Sequence, residues 1–166
     1  MKEYTFFWSS KKPYSNWYPC QFTYKDIKFY NSEQAYMWEK ALCFDDTETA
    51  EQILEEGSDP KRAKELGRMV VGFNDVIWND RKFQIMYDIV LEKFRQNTTI
   101  KKKLLENSNF AEASPYDLVW GVGLSEEDPR ILDEKNWTGQ NLLGKVLEKV
   151  KSNFYAESYN KHTLFL

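Results

Sequence analysis

Glu33 and Lys40 are the two residues whose types and spacing best suit nucleophilic and acid–base chemistry. In the run Asn31-Ser32-Glu33-Gln34-Ala35-Tyr36-Met37-Trp38-Glu39-Lys40-Ala41, the positions Glu33, Met37, Lys40 and Phe44 recur at three- and four-residue spacing and share one helical stripe. Glu33 falls in the first turn, where the helix dipole favours a carboxylate. A partly desolvated lysine two turns further on can lose its proton and attack an electrophilic carbon, as imine-forming lysines do. The competing reading is a solvated charged face, the usual fate of Glu and Lys.

A second group lies in Glu112-Ala113-Ser114-Pro115-Tyr116-Asp117-Leu118-Val119-Trp120-Gly121-Val122-Gly123. Pro115 fixes its own φ and drives Ser114 toward an extended conformation, so a strand ends here and a shaped turn begins. Glu112 and Asp117 flank the turn, and Trp120 offers an indole face. Gly121 and Gly123 lack Cβ, so a ligand or another stretch of backbone can approach closely. Carboxylate, indole and bare backbone together suit a sugar-like or nucleoside-like ligand; the alternative is a buried Trp beside a demanding turn. Arg68 and Arg81 are candidates for bidentate phosphate contacts or for surface ion pairs. Gly139 and Asn141 stand at a helix start, where free N–H groups can hold an anion, unless Thr138 simply caps that helix.

What is absent narrows the chemistry. His162 is the only histidine, so a three-histidine metal site is impossible and acid–base work falls to Asp, Glu, Lys and Tyr. Cys20 and Cys43 form no C-x-x-C pair. No metal and no cofactor are expected. The net charge of −3 argues against a dedicated duplex-DNA binder but not against a nucleotide ligand. Aromatics make up 16% of the 166 residues, more than the core of one domain needs, so some rings should line a cleft. No signal peptide is evident, and no apolar run approaches the ~20 residues that span a bilayer. A cytoplasmic protein with no membrane association is expected.

The elements that position these residues read as an α+β, mainly helical, single compact domain over residues 1–166, with short edge strands. Residues 4–8 have strand composition, and 21–30 read as a hairpin. Asn31 or Ser32 caps a helix running to about Phe44, with Gln34 in capping-box position. Helices follow from Asp46-Thr47 to Gly57, from Asp59-Pro60 to Gly67, from an Asp75 cap through Phe94, and from Thr98 or Thr99 through the basic Lys101–103 run. Residues 110–114 are extended, 124–136 form an acidic loop, and 140–152 form the last helix.

The motifs together resemble one family. Ser15-Asn16-Trp17-Tyr18-Pro19 is followed by Ser32-Glu33 with Lys40-Ala41, by Leu66-Gly67-Arg68, and by Trp78 with Arg81 and Met86. Lys93-Phe94-Arg95-Gln96-Asn97, Glu112-Ala113-Ser114, Asp117, Trp120-Gly121-Val122-Gly123 and Asn141-Leu142-Leu143-Gly144 complete the series. Their order over residues 6–150 resembles the NADAR family of YbiA-like N-glycosidases. The resemblance implies a compact, mainly helical fold of the YbiA type and hydrolysis of the bond between a ribose and a base-like nitrogen. Its implied substrates are small ribosyl or nucleotide molecules, such as ribosylamino-pyrimidine phosphates of riboflavin synthesis, with ADP-ribosylated guanine and hence ADP-ribosylated nucleic acid as a second class. It implies no obligate protein partner. Many members carry His where this chain has Gln34, which bears on substrate preference.

On that resemblance Glu33, Lys40 and Asp117 are the catalytic candidates. Lys40 attacks the anomeric carbon to give an imine, with Glu33 shuttling protons; alternatively, carboxylates stabilise an oxocarbenium-like transition state directly. Trp78 and Trp120 stack on base or ribose, Arg81 meets phosphate, and Asn16, Trp17, Glu112, Gly121, Gly123 and Asn141 complete the binding set. A non-catalytic ADP-ribose or nucleotide-binding module is the rival reading; it needs neither Glu33 nor Lys40.

Overall fold

The computed structural model describes residues 2–163, which divide into two compact units. One is continuous, Ser9–Thr98; the other is built from residues 2–8 and 99–163. Helices dominate both, and every strand is three residues long.

The continuous unit is built around one helix. Strands β2 (Phe22–Tyr24) and β3 (Ile27–Phe29) pair antiparallel, and Lys25 and Asp26 at the turn both have positive φ, as a tight two-residue hairpin loop requires. Helix α1 (Ser32–Cys43) follows, with the Asn31 side chain accepting the Gln34 N–H at 2.8 Å. The Gln34 side chain does not close a reciprocal capping box. Its Oε1 accepts from the Tyr30 N–H and its Nε2 donates to the Ile53 carbonyl, so this buried residue is committed to holding the fold. Helices α2 (Thr47–Glu56), α3 (Pro60–Arg68) and α4 (Asp75–Arg95) each pack on α1. Its Ala35, Tyr36, Trp38 and Ala41 are buried together with Ile53, Leu66, Met86 and Phe94.

Two expected boundaries move. Gly67 does not end α3: it lies inside the helix, where a Cβ would collide with the Met37 side chain, so its role is to let α3 approach α1. The cap of α4 is Asn74 and not Asp75; its side chain accepts the Ile77 N–H at 3.1 Å.

In the other unit, β1 (Thr5–Phe7) pairs in parallel with β4 (Phe110–Glu112), Thr5 opposite Phe110. Ala111, Ala113, Val122, Leu124 and Ile131 form a buried cluster under Tyr4, Phe6 and Trp137. Helix α5 (Thr98–Glu106) supplies Ile100 and Leu104 to the interior. The acidic loop contains two 3₁₀ turns, 129–132 and 134–136. Helix α6 runs Leu142–Thr163, eleven residues beyond the expected 152, and its last buried residue is Phe154. The extension carries polar residues on nearly every side, so no apolar stripe marks it in the sequence.

Candidate active site

In the continuous unit, the first turn of α1 meets the Asn16 loop. The Glu33 main-chain N–H donates to the Asn16 carbonyl at 3.1 Å, and both side chains are buried. Asn16 Oδ1 and Ser32 Oγ are fully enclosed without a hydrogen-bonding partner among the described residues. Both atoms lie at the same helix start as the buried Glu33 carboxylate. Trp17 is half-buried in the same loop, its N–H donating to Ser15 Oγ at 3.1 Å.

Lys40 is half-buried further along α1. Burial pushes its ammonium below the usual lysine range. The Glu33 carboxylate opposes this shift, Arg68 reinforces it and Asp75 opposes it. Its Nζ lies 4.6 Å from the centre of the Phe73 ring. The expected helical stripe therefore exists: Glu33 and Lys40 interact electrostatically across it, and residues from α3, α4 and the loop between them surround the amine. Phe73 and Asp75 were not among the predicted site residues, and Arg68 was expected only as a phosphate contact or a surface ion pair. Arg68 stands in the Leu66-Gly67-Arg68 motif, but nothing in a sequence separates an arginine near a lysine from a surface ion pair.

Trp78 is 7% exposed and packs on Tyr36 and Phe44, with ring centres at 5.1 and 6.4 Å. Its ring belongs to the wall behind the site. Arg81 is exposed, and its Nη1 donates to Cys43 Sγ at 3.7 Å. The Lys93–Asn97 run acts as a clamp. Lys93 Nζ donates to the Ser15 carbonyl at 2.9 Å, Gln96 exchanges two bonds with the Thr23 main chain at 2.7 and 2.6 Å, and Asn97 donates to the Gln21 carbonyl at 3.0 Å.

In the other unit, the predicted residues of the 112–123 turn mostly hold one another. Asp117 Oδ1 accepts the Val119 and Trp120 N–H groups at 2.9 and 2.8 Å, and Ser114 Oγ accepts the Asp117 N–H at 3.1 Å. The Glu112 carbonyl accepts the Ser114 and Val122 N–H groups, each at 2.9 Å. Trp120 is 9% exposed. Close approach at the glycines comes from the chain itself: a Cβ on Gly121 would press on the Asp117 and Glu112 carbonyls, and Gly123, at φ +79°, faces Thr138 and Gly139. Asn141 Nδ2 donates to the Phe110 carbonyl at 2.9 Å and Oδ1 accepts the Glu112 N–H at 3.2 Å, so its amide ties α6 to β4.

Two hollows lie elsewhere. One of about 520 Å³, beside the β2–β3 hairpin and α4, is lined by Tyr24, Lys25, Asp88 and Glu92 and by no predicted site residue. One of about 420 Å³ in the other unit is lined by Tyr4, Trp137, Glu148 and, of the residues singled out in the sequence, Gly139 and Asn141. Neither hollow coincides with the Glu33–Lys40 stripe; that stripe is the candidate site because titratable groups and a half-buried amine converge there. Among the described residues no cluster of three His, Cys, Asp or Glu side chains could hold a metal ion, and no helix is long and apolar enough to cross a membrane.

Comparison with known proteins gives concordant matches. The model of the NADAR domain matches residues 6–155. Protein irg-1 of Caenorhabditis elegans is 36% identical over 173 residues, covering 93% of this chain and 81% of that protein. An N-glycosidase of Acanthamoeba polyphaga mimivirus is 37% identical over 162 residues, covering 90% and 95%. A riboflavin biosynthesis protein of Vibrio vulnificus is 31% identical over 149 residues, 88% of this chain and 36% of that protein. The NMR structure of the E. coli protein YbiA superposes with a TM-score of 0.76 at 22% identity, covering 94% of this chain and 87% of that one, which shows a shared fold.

Proposed function

Because the chain belongs to the NADAR family and has N-glycosidases among its full-length relatives, we propose that it hydrolyses the N-glycosidic bond between a phosphorylated ribose and a base-like nitrogen, with Lys40 as nucleophile and Glu33 as proton shuttle. The observation that carries the roles is the half-buried Lys40, its ammonium destabilised by burial, on one helical stripe with the buried Glu33.

The chemistry balances with one water consumed. The neutral Lys40 amine bonds to the anomeric carbon as the carbon–nitrogen bond to the base breaks. The base leaves with that electron pair and takes a proton from Glu33. The ribose ring then opens as the carbon–nitrogen double bond forms, and the ring oxygen takes up the proton the nitrogen gives away. Water adds to the protonated imine and releases the free sugar and the Lys40 amine, and the proton set free returns to the Glu33 carboxylate. Shuttling of this kind contributes about 10²–10⁴-fold. Asn16, whose carbonyl accepts the Glu33 N–H, is the proposed contact for the ribose hydroxyls. Exposed Arg81 is the proposed phosphate contact, since Cys43 sulfur is a weak acceptor and engages one of its five donors.

Two substrate groups fit: ribosylamino-pyrimidine phosphates, in keeping with the riboflavin biosynthesis relative, and ADP-ribose joined to guanine. Incubation with a panel of both, following released base by mass spectrometry, tests the reading. Release of no base from any member would overturn it.

A further inference from the structure

The aromatics expected to stack on the substrate are buried, while one that was not expected is exposed beside the reacting amine. Phe73 is 42% exposed, and its ring holds Lys40 Nζ at 4.6 Å from its centre. Its position is set from both sides. The Val71 N–H donates to Asp46 Oδ2 at 2.9 Å, Gly72 turns the chain at φ +78°, and Asn74 caps α4. Behind it, Phe44 meets the ring edge-on at 5.4 Å, and Phe44 in turn packs on Trp78. The outer ring of this aromatic ladder is thus rigidly mounted, accessible and in contact with Lys40.

We propose that Phe73 is the base-stacking residue of the Lys40 site, its ring face holding the Lys40 ammonium at rest and taking the substrate's base in the complex. This rests on the function proposed above for Lys40. A cation over an aromatic face is stabilised in its charged form, which is unreactive. Stacking of a base on the same face displaces the ammonium, removes that stabilisation and turns the amine toward the sugar. Substrate binding and activation of the nucleophile then become one event. Every base has a π-face, so this platform selects for the presence of a base and leaves its identity to other contacts.

The test compares Phe73→Leu and Phe73→Trp with the wild type on the ribosyl panel. It also measures the Lys40 pKa in the free proteins by NMR of the isotopically labelled side chain. Phe73→Leu should raise KM about tenfold, the loss of one base–aromatic stack. It should also lower the Lys40 pKa, because the leucine side chain keeps the amine half-buried beside Glu33, Arg68 and Asp75 while the ring face that supports the charged form is gone. The acid limb of kcat/KM should move down with it. Phe73→Trp should keep both values near wild type. An unchanged KM or an unchanged Lys40 pKa in Phe73→Leu, with a wild-type melting temperature, would overturn the proposal. So would a tenfold rise in KM in a folded Phe73→Trp. A wild type inert toward the whole panel would instead overturn the N-glycosidase reading, and the pKa measurement would still decide whether Phe73 holds Lys40.

Discussion

The ammonium of Lys93, 1% exposed, donates to the main-chain carbonyl of Ser15 at 2.9 Å. Burial lowers its pKa to about 7, with Cys20 opposing the shift. In the unfolded chain Lys93 titrates near about 10.4, so between pH 7 and that value the unfolded state holds the extra proton and stability rises with pH. The melting temperature should climb from about pH 7 to about pH 9, below the range where tyrosines ionise. Lys93→Met should flatten that slope, and it should not lower stability at neutral pH, because it removes a buried charge whose acceptor keeps the Tyr18 N–H. A slope equally steep in Lys93→Met would refute the assignment.

Lys40 is open to a chemical trap. Borohydride added during turnover should reduce the imine to an amine, and the protein should gain the mass of the ribosyl fragment at Lys40. Lys40→Arg retains the charge without a usable nucleophile and should be inactive and untrappable. Near-normal turnover by Lys40→Arg would exclude the imine and leave the direct carboxylate route.

Glu33→Gln keeps the shape of the side chain and removes its charge. It should cut kcat by about 10²-fold or more with little change in melting temperature. It should also lower the Lys40 pKa further, because Glu33 is among the groups that support the charged amine. Direct titration of Lys40 in the variant checks the sign; a rise would mean the two groups do not interact as described.

The 112–123 turn makes a different prediction. Gly121→Ala would place a methyl against two main-chain carbonyls, and such overpacking costs about 1–3 kcal/mol, seen as a lower denaturation midpoint. Asn141→Ala leaves the Phe110 carbonyl and the Glu112 N–H without their amide partner and should cost about 1–3 kcal/mol in the same measurement. Asp117→Asn retains an oxygen for the Val119 and Trp120 N–H groups, so it should stay folded and report any catalytic role through kcat.

Most helices were legible in the sequence because their signals are local. Asp46 and Asp59 cap α2 and α3 as their side-chain chemistry dictates. The stripe carrying Glu33 and Lys40 follows from helical period alone. Less legible was what each residue touches. Trp78 and Asn141 have types that suit a ligand, yet the partners that occupy them, the Tyr36 and Phe44 rings and the Phe110 and Glu112 main chain, are distant in sequence. The same holds for Gly67, which reads as a helix stop but answers to Met37 on another helix. Phe73 escaped notice because a lone aromatic in a six-residue loop has no period, and only the folded chain puts Lys40 on its face.

The pairing of β1 with β4 sets an order of events during synthesis. Thr5 emerges early, but its partner Phe110 is added more than a hundred residues later. At about 5–20 residues per second this leaves the first strand alone for several seconds or longer. Throughout that interval the apolar Phe6-Phe7-Trp8 segment lacks the strand that β1 pairs with, and such a segment can recruit unwanted partners. The Ser9–Thr98 unit has no such wait, since all its residues precede Phe110 in the chain. The helix bearing Glu33 and Lys40 thus belongs to the part of the molecule whose contacts are available first.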